Sequence, residues 1–332
     1  MLACTDVAPE TDEKKKGQAN ANPEKQTLES INALILEDPL NIDLYNQRAD
    51  FHIDNGNLKA AIEDFDRALK IDSTHARTLH EKGNTLFKTK NFNDAFGAYR
   101  TCLTHHPEDM DCLMRAAEMN IHLRQYAKAI EHINSVLKQD DHQAMAYYMK
   151  GRIYKEQGDS SLAVSSYQTA TEVDPQFYDA FMEAGLLFSE AGSDVSLEFF
   201  NSAIEINPNS VEALYAKAYH LQKMGILDTV RWGQAQQVYQ TIMEVDPRNA
   251  VAHFNHGFID LEYRQNYKVA ALSFGEAINL HPGYFQAYYN RGLCRESMDQ
   301  FNLALADYEK TLEINPTYTA AALAKSRVLS RQ

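Results

Sequence analysis

One period governs this chain. Small residues stand at Ala49, Gly83, Ala117, Gly151 and Gly185, each 34 positions after the last, and then at Ala218, Gly257 and Gly292. Self-similarity at a spacing of this kind marks a supersecondary unit that cannot bury its apolar face alone, so successive units must stack. Two further rows keep step with the first. Ala61, Ala95, Ala129, Ala163, Ser196, Ala235, Ala270 and Ala304 are small, whereas Phe65, Tyr99, Ile133, Tyr167, Phe200, Tyr239, Phe274 and Tyr308 are mostly large rings. Units close near Pro39, Ser73, Pro107, Asp141, Pro175, Pro208, Pro247, Pro282 and Pro316. A proline at that point ends one helix before the next begins.

Within a unit the apolar spacing is helical. In the fourth, Tyr147, Gly151 and Tyr154 precede a break at Gly158, and Ala163, Tyr167 and Ala170 follow it, at intervals of three and four. That predicts two antiparallel helices of about fourteen residues per unit. The small rows let those helices approach closely and the large row fills the space between them.

This pattern resembles the tetratricopeptide repeat family in its period, its helix-turn-helix unit, its small-aromatic-small signature and its closing proline. The resemblance covers residues 25–332 and implies an all-α, right-handed superhelical solenoid of about eight repeats, at 42–75, 76–109, 110–143, 144–177, 178–210, 211–249, 250–284 and 285–318. An amphipathic segment at Lys25 to Asp38 adds an N-terminal extra helix, and residues 319–331 read as a C-terminal capping helix with a polar face. Three units break the period. The fifth loses a residue near Gly192, the seventh gains one near Gln265, and the sixth gains five around Lys223 to Trp232, which holds the only tryptophan. Because the helical rows continue on both sides, these changes are expected in loops. The long one is either a tolerated surface insertion or a protruding partner-binding loop.

Charge narrows the choice of partner. A formal net charge of −14, with 32 Lys and Arg spread along the chain, argues against nucleic acid. Residues 1–24 are polar and almost free of large apolar groups, and so read as a disordered tether. They begin with Met1-Leu-Ala-Cys4, which resembles the end of a bacterial lipoprotein signal without its charged start and long apolar core. Lipidation of Cys4 would place the protein in the bacterial cell envelope, as a periplasmic or outer-membrane lipoprotein. Without it the expectation is cytoplasmic.

In the tetratricopeptide family, partner segments lie in a concave groove lined by the first helix of each unit. Three residues before each small residue, that helix carries Asn46, His80, Met114, Tyr148, Met182, Tyr215, Phe254 and Tyr289. Four residues further along the same face come Asp50, Asn84, Glu118, Arg152, Leu186, Tyr219, Phe258 and Leu293. The first three units are mostly polar there, while units four to eight present an apolar and aromatic stripe of the kind that marks binding sites. Two readings stay open: an exposed groove, or rings that pack on one another and close it. Asn255 and Asn290, each next to an aromatic of the row, favour the open groove, since an asparagine can hydrogen-bond an extended backbone as in the asparagine ladder of protein O-glycosyltransferases. The family's carboxylate clamp for chaperone tails is not matched, because Asn84 pairs with His80 and the next helix offers Met114 and Glu118.

No Gly-rich phosphate loop, GxSxG elbow or HExxH helix is present. His253 and His256 flank the row in unit seven and read as packing residues. The chain is therefore expected to be a non-enzymatic scaffold for a protein or extended peptide, without cofactor; it resembles tetratricopeptide lipoproteins of envelope assembly. A glycan-binding surface lipoprotein and a cytoplasmic adaptor are the alternatives. The stretch Cys102-Leu-Thr-His-His-Pro-Glu-Asp-Met-Asp-Cys112 suggests a metal site in isolation. In register, Cys102 shares the packing row of Ala68, Val136, Ala170 and Ala203, which removes that reading and leaves open whether Cys102 and Cys112 are bridged.

Overall fold

The computed structural model describes residues 27–225 and 228–331. The expected tether and Cys4 lie outside them. Among the described residues are eighteen α-helices. After α1 (Leu28–Glu37) come α2 (Ile42–Asp54) with α3 (Leu58–Ile71), α4 (Ala76–Lys88) with α5 (Phe92–His105), and α6 (Met110–His122) with α7 (Tyr126–Gln139). There follow α8 (Ala144–Glu156) with α9 (Ser160–Val173), α10 (Tyr178–Glu190) with α11 (Val195–Ile206), and α12 (Val211–Met224) with α13 (Thr229–Val245). The last pairs are α14 (Ala250–Glu262) with α15 (Tyr267–Leu280) and α16 (Phe285–Ser297) with α17 (Phe301–Ile314), and α18 (Thr319–Leu329) ends the series. The all-α helix-turn-helix architecture is thus the one the period implies. Two compact units divide the chain, one ending at Ala116 and the other beginning at Ala117, inside α6.

Why the period holds is visible at the small rows. A carbon added to Gly151 would come within 2.5 Å of the Tyr167 ring, and one added to Gly292 within 2.6 Å of Tyr308. Gly185 stands in the same relation to Phe200. Each ring is fully buried, so the first helix of a pair contributes a gap and the second a plug. The second small row, from Ala61 to Ala304, is likewise buried throughout. Burying a ring of this size stabilises by roughly 1.5–3 kcal/mol, provided the gap remains. The turns recur as well: Gly56, Lys90, Arg124, Gly158 and Gly192 all have positive φ at the 34-residue spacing, and Lys90 and Arg124 adopt this left-handed conformation despite carrying side chains.

The flanking helices are tied by charge as well as packing. In the first unit Arg48 donates to Asn32 of α1 and forks onto Asp64 of α3, where Asp64 is buried. In the second, α18 buries Ala321, Ala324 and Val328, and Arg327 forks onto Glu296 of α16 at 2.7 and 2.8 Å. Arg327 holds the Glu296 carboxyl below the usual range.

The structure bridges Cys102 and Cys112 across the α5–α6 turn, with Cα atoms 6.4 Å apart and both side chains buried beside Leu79. Asp109 accepts from the Cys112 backbone N–H at the start of α6, as a helix cap. Both thiols are consumed in the bridge. Intact-mass measurement under non-reducing conditions is therefore expected to show a loss of two hydrogens, abolished by Cys112→Ser. Opening this short loop is expected to cost about 2–3 kcal/mol. For the packing rows, Gly151→Val is expected to lower stability by about 1–3 kcal/mol, read from denaturant midpoints. Gly97→Ala in α5, where nothing lies within 4 Å of the added carbon, should be neutral or stabilising; an equal loss at both positions would refute the gap-and-plug account.

Candidate functional site

The expected partner-binding residues all fall in the second unit, on α8, α10, α12, α14 and α16. Their surroundings differ. Met182 and Asn290 are buried at 4% and 8% exposure, and Tyr219 is 56% exposed. Tyr148, Arg152, Leu186, Tyr215, Phe254, Asn255, Phe258, Tyr289 and Leu293 are half-buried. Burial raises the phenols of Tyr148, Tyr215 and Tyr289 above their ordinary value, so each is a neutral hydroxyl at physiological pH.

Three rings of the row share one pattern of neighbours. Tyr148 meets the buried Tyr167 at 5.6 Å and Phe177 at 5.0 Å. Phe254 meets Phe274 at 5.4 Å and stacks on Tyr284 at 4.9 Å. Tyr289 meets Tyr308 at 5.9 Å and Tyr318, edge-on, at 5.2 Å. One partner is thus the plug of the same repeat, and the other is the residue that precedes the next first helix. Sequence reasoning missed Phe177, Tyr284 and Tyr318. The available signal was their position two residues after Pro175, Pro282 and Pro316. Burial pushes the Tyr284 phenol up to about 12.

Asn255 is engaged from within, donating through Nδ2 to the Tyr215 hydroxyl, and Asn290 is buried on α16. Arg152 has no ion pair or hydrogen bond among the described residues, and the buried Tyr167 hydroxyl, which responds to the charge of Arg152, has no hydrogen-bond partner there.

The long irregularity in the sixth repeat is not a protruding loop. Helix α12 has fourteen residues and α13 seventeen, against thirteen and fourteen in α8 and α9, so most of the extra residues prolong helices. Trp232 is 9% exposed and stacks on Tyr263 with ring centroids 3.5 Å apart. Arg231 forks onto both oxygens of Asp194, 2.6 Å each, in the turn of the preceding repeat. His220, fully buried, places Nε2 3.3 Å from the same carboxylate and Nδ1 2.9 Å from Ser189 Oγ. Since an ionised carboxylate only accepts, Nε2 carries a proton toward Asp194. The irregular turn of the fifth repeat and the extension of the sixth are therefore one anchored feature.

A second cluster superficially suggests catalysis. His256 Nδ1 lies 3.3 Å from Ser273 Oγ and 3.8 Å from the buried Asp260 carboxylate. Both contacts use the same ring nitrogen, whereas a proton relay needs hydroxyl and carboxylate on opposite nitrogens. Gln236 also donates to Asp260 at 2.7 Å, which leaves the carboxylate in a packing network.

Sequence profiles described as Tetratricopeptide repeat match residues 144–177 and 285–318. These two segments are tetratricopeptide repeats. A profile described as Anaphase-promoting complex, cyclosome, subunit 3 matches residues 54–136. Among curated relatives, Tetratricopeptide repeat protein 6 of Homo sapiens is 26% identical over 163 residues, covering 48% of this chain and 30% of its own length. BBSome complex member BBS4 of Bos taurus is 22% identical over 274 residues, 82% of this chain and 51% of its own. The chain thus spans about half or less of these relatives. The C-terminal part of a repeat-containing protein from Cytophaga hutchinsonii has the same fold, with a TM-score of 0.54 at 16% identity over 69% of this chain and 92% of that one. Repeat proteins of this family bind proteins or peptides and usually act without catalysis. No helix among the described residues is long and apolar enough to cross a membrane.

Arg231 holds the Asp194 carboxyl down at about 2, below the unfolded value of about 3.9. A depressed folded value means that the contribution to stability is full above about pH 4 and is lost as pH falls through about 2; the pair is half exposed, so the contribution is small. Arg231→Ala should return the Asp194 midpoint toward the unfolded value in a carboxyl NMR titration. An unchanged midpoint would remove Arg231 as the cause.

Proposed function

We propose that the first helices of the fourth to eighth repeats bind an extended segment of a partner protein, making the chain a non-catalytic scaffold. The observation that carries this reading is the recurrence of half-buried rings along the row in the fourth, sixth, seventh and eighth repeats, with Tyr219 exposed at 56%. Tyr148, Tyr215, Phe254 and Tyr289 are each braced from behind by the repeat's buried plug, so ordering them on binding costs little rotamer entropy. Polar contacts to a peptide backbone are within the means of Tyr hydroxyls, Arg152 and the Asn255 carbonyl. A bound segment with apolar side chains at alternate positions would set them between successive rings.

In this reading the scaffold aids assembly of a protein complex. Its envelope-tethered form rests on Cys4 alone, and metabolic labelling with an alkyne fatty acid, lost in Cys4→Ser, would support it. Absence of label would leave an untethered scaffold.

Tyr219→Ala separates binding from folding better than substitutions of Tyr215 or Phe254, which are packed. Peptides selected from a display library on the wild-type protein should bind Tyr219→Ala roughly tenfold or more weakly, as expected for loss of an aromatic anchor. The melting curve should not move. Equal affinity for both proteins would place binding on another face. Binding of oligosaccharides in place of peptides, quenching tyrosine fluorescence in a Tyr219-dependent way, would overturn the peptide reading in favour of a glycan.

A further inference from the structure

The opposite side of α12 carries a different surface. Lys217 lies two residues from both Tyr215 and Tyr219 and so points about 200° away around the helix. It floors a cleft of 470 Å³ between α11 and α13, with Leu214, Leu221 and Val238 in its walls and the amides of Asn201, Gln234 and Gln237 at its rim. No carboxylate lines it.

That is an exception to a rule of this chain. The residue just before the small row is basic in several repeats, and it reaches a residue sixteen positions away, which is the later Asp307 for Arg291 and an earlier residue for the others. Arg48 donates to Asn32 at 2.7 Å, Lys82 meets Asp66 at 2.6 Å, and Lys150 donates to Asn134 at 3.4 Å. In α18, Lys325 meets Glu309 at 2.8 Å. Lys217 has Asn201 at this spacing and makes no such link; among the described residues it has no ion pair or hydrogen bond. The equivalent cleft of the first unit, around Lys82, contains Glu63, Asp66 and Asp94. Here a half-buried ammonium sits in apolar walls, in a chain of net charge −14, with its own carboxylates kept away.

We propose that this cleft is a second docking site, which takes a segment of a partner protein carrying a carboxylate side chain among apolar ones, the carboxylate pairing with Lys217. Burial alone lowers the Lys217 amine, with no charged neighbour to offset it, so an incoming carboxylate would meet an ammonium that has already lost part of its hydration. The exposed amides of Asn201, Gln234 and Gln237 can serve polar groups flanking that carboxylate. The apolar walls take the side chains beside it.

The probe is a synthetic, end-capped amphipathic helix with one glutamate set in a leucine face, compared with its glutamine counterpart by fluorescence anisotropy on the full chain. Protection of the Lys217 amine from acylation is read by mass spectrometry in the same samples. The glutamate peptide should bind and protect Lys217. Affinity should fall roughly tenfold or more for the glutamine peptide and for Lys217→Met, be restored in part by Lys217→Arg, and be unchanged in Lys82→Met. An unshifted melting curve for Lys217→Met would exclude loss of fold. No binding of the glutamate peptide, equal binding of both peptides, or undiminished binding to Lys217→Met would each overturn the proposal. So would protection of Lys217 by free decanoate but not by the peptide, which would assign the cleft to a small carboxylate. Because Tyr219 faces the other way, failure here is distinct from failure of the aromatic face.

Discussion

A bulky side chain filling a gap across two helices is the contact on which every repeat depends. The glycine at position 151 exists because Tyr167 occupies the volume that a side chain would need, and the same holds for Gly292 and Tyr308. This contact fixes how closely the two helices of a pair approach. Their approach in turn fixes where the opposite edge of the plug emerges, and there it meets the candidate row: Tyr148 on Tyr167, Phe254 on Phe274, Tyr289 on Tyr308. Core and candidate site therefore share atoms. A substitution in the plug would loosen the ring that a partner is proposed to touch, even where stability survives.

The plugs differ in their polar ends, and the differences are local adaptations. Tyr99 donates to Asn84, Tyr239 to Gln222 and Tyr308 to Glu296, each reaching a residue of its paired first helix. Phe65, Phe200 and Phe274 need no such partner. A buried hydroxyl without one costs on the order of 1–3 kcal/mol, so the polar acceptor and the tyrosine must be kept together. Tyr167 departs from this, since its hydroxyl is buried beside the charge of Arg152 without a bond to it. The fourth repeat is thus the place where plug and candidate row are least self-sufficient.

Much of this was legible from the sequence because periodic packing repeats its own signal. Gly83, Gly151 and Gly292 announce the gap in the same register that Tyr99, Tyr167 and Tyr308 announce the plug, and Cys102 is read correctly as a packing residue from its row. The sixth repeat was not legible in the same way. Extra residues say where a period breaks, but whether they bulge or prolong helices depends on tertiary contacts, here Trp232 on Tyr263 and Arg231 on Asp194. Phe177, Tyr284 and Tyr318 escaped notice for a related reason. They lie in turns, outside the helical rows, and only three dimensions bring them onto the next ring.

Exposure was the least legible quantity of all. Helical spacing gives the face on which a side chain lies, yet Met182 is buried while Tyr219, on the same pair of rows, is open. Neighbouring repeats decide this, because each ring is covered to the extent that the following turn supplies a cap. Where the cap is aromatic, as at Phe177, Tyr284 and Tyr318, the row is braced and half-covered. For α12 the equivalent position, two residues after Pro247, is Asn249, which caps α14 by accepting from the Ala252 backbone N–H instead of supplying a ring. Tyr215 is held there by Asn255 and Tyr219 is left uncovered. The extension of the sixth repeat thus coincides with a gap in the aromatic bracing, and the surface most open to a partner arises at the irregularity in the period.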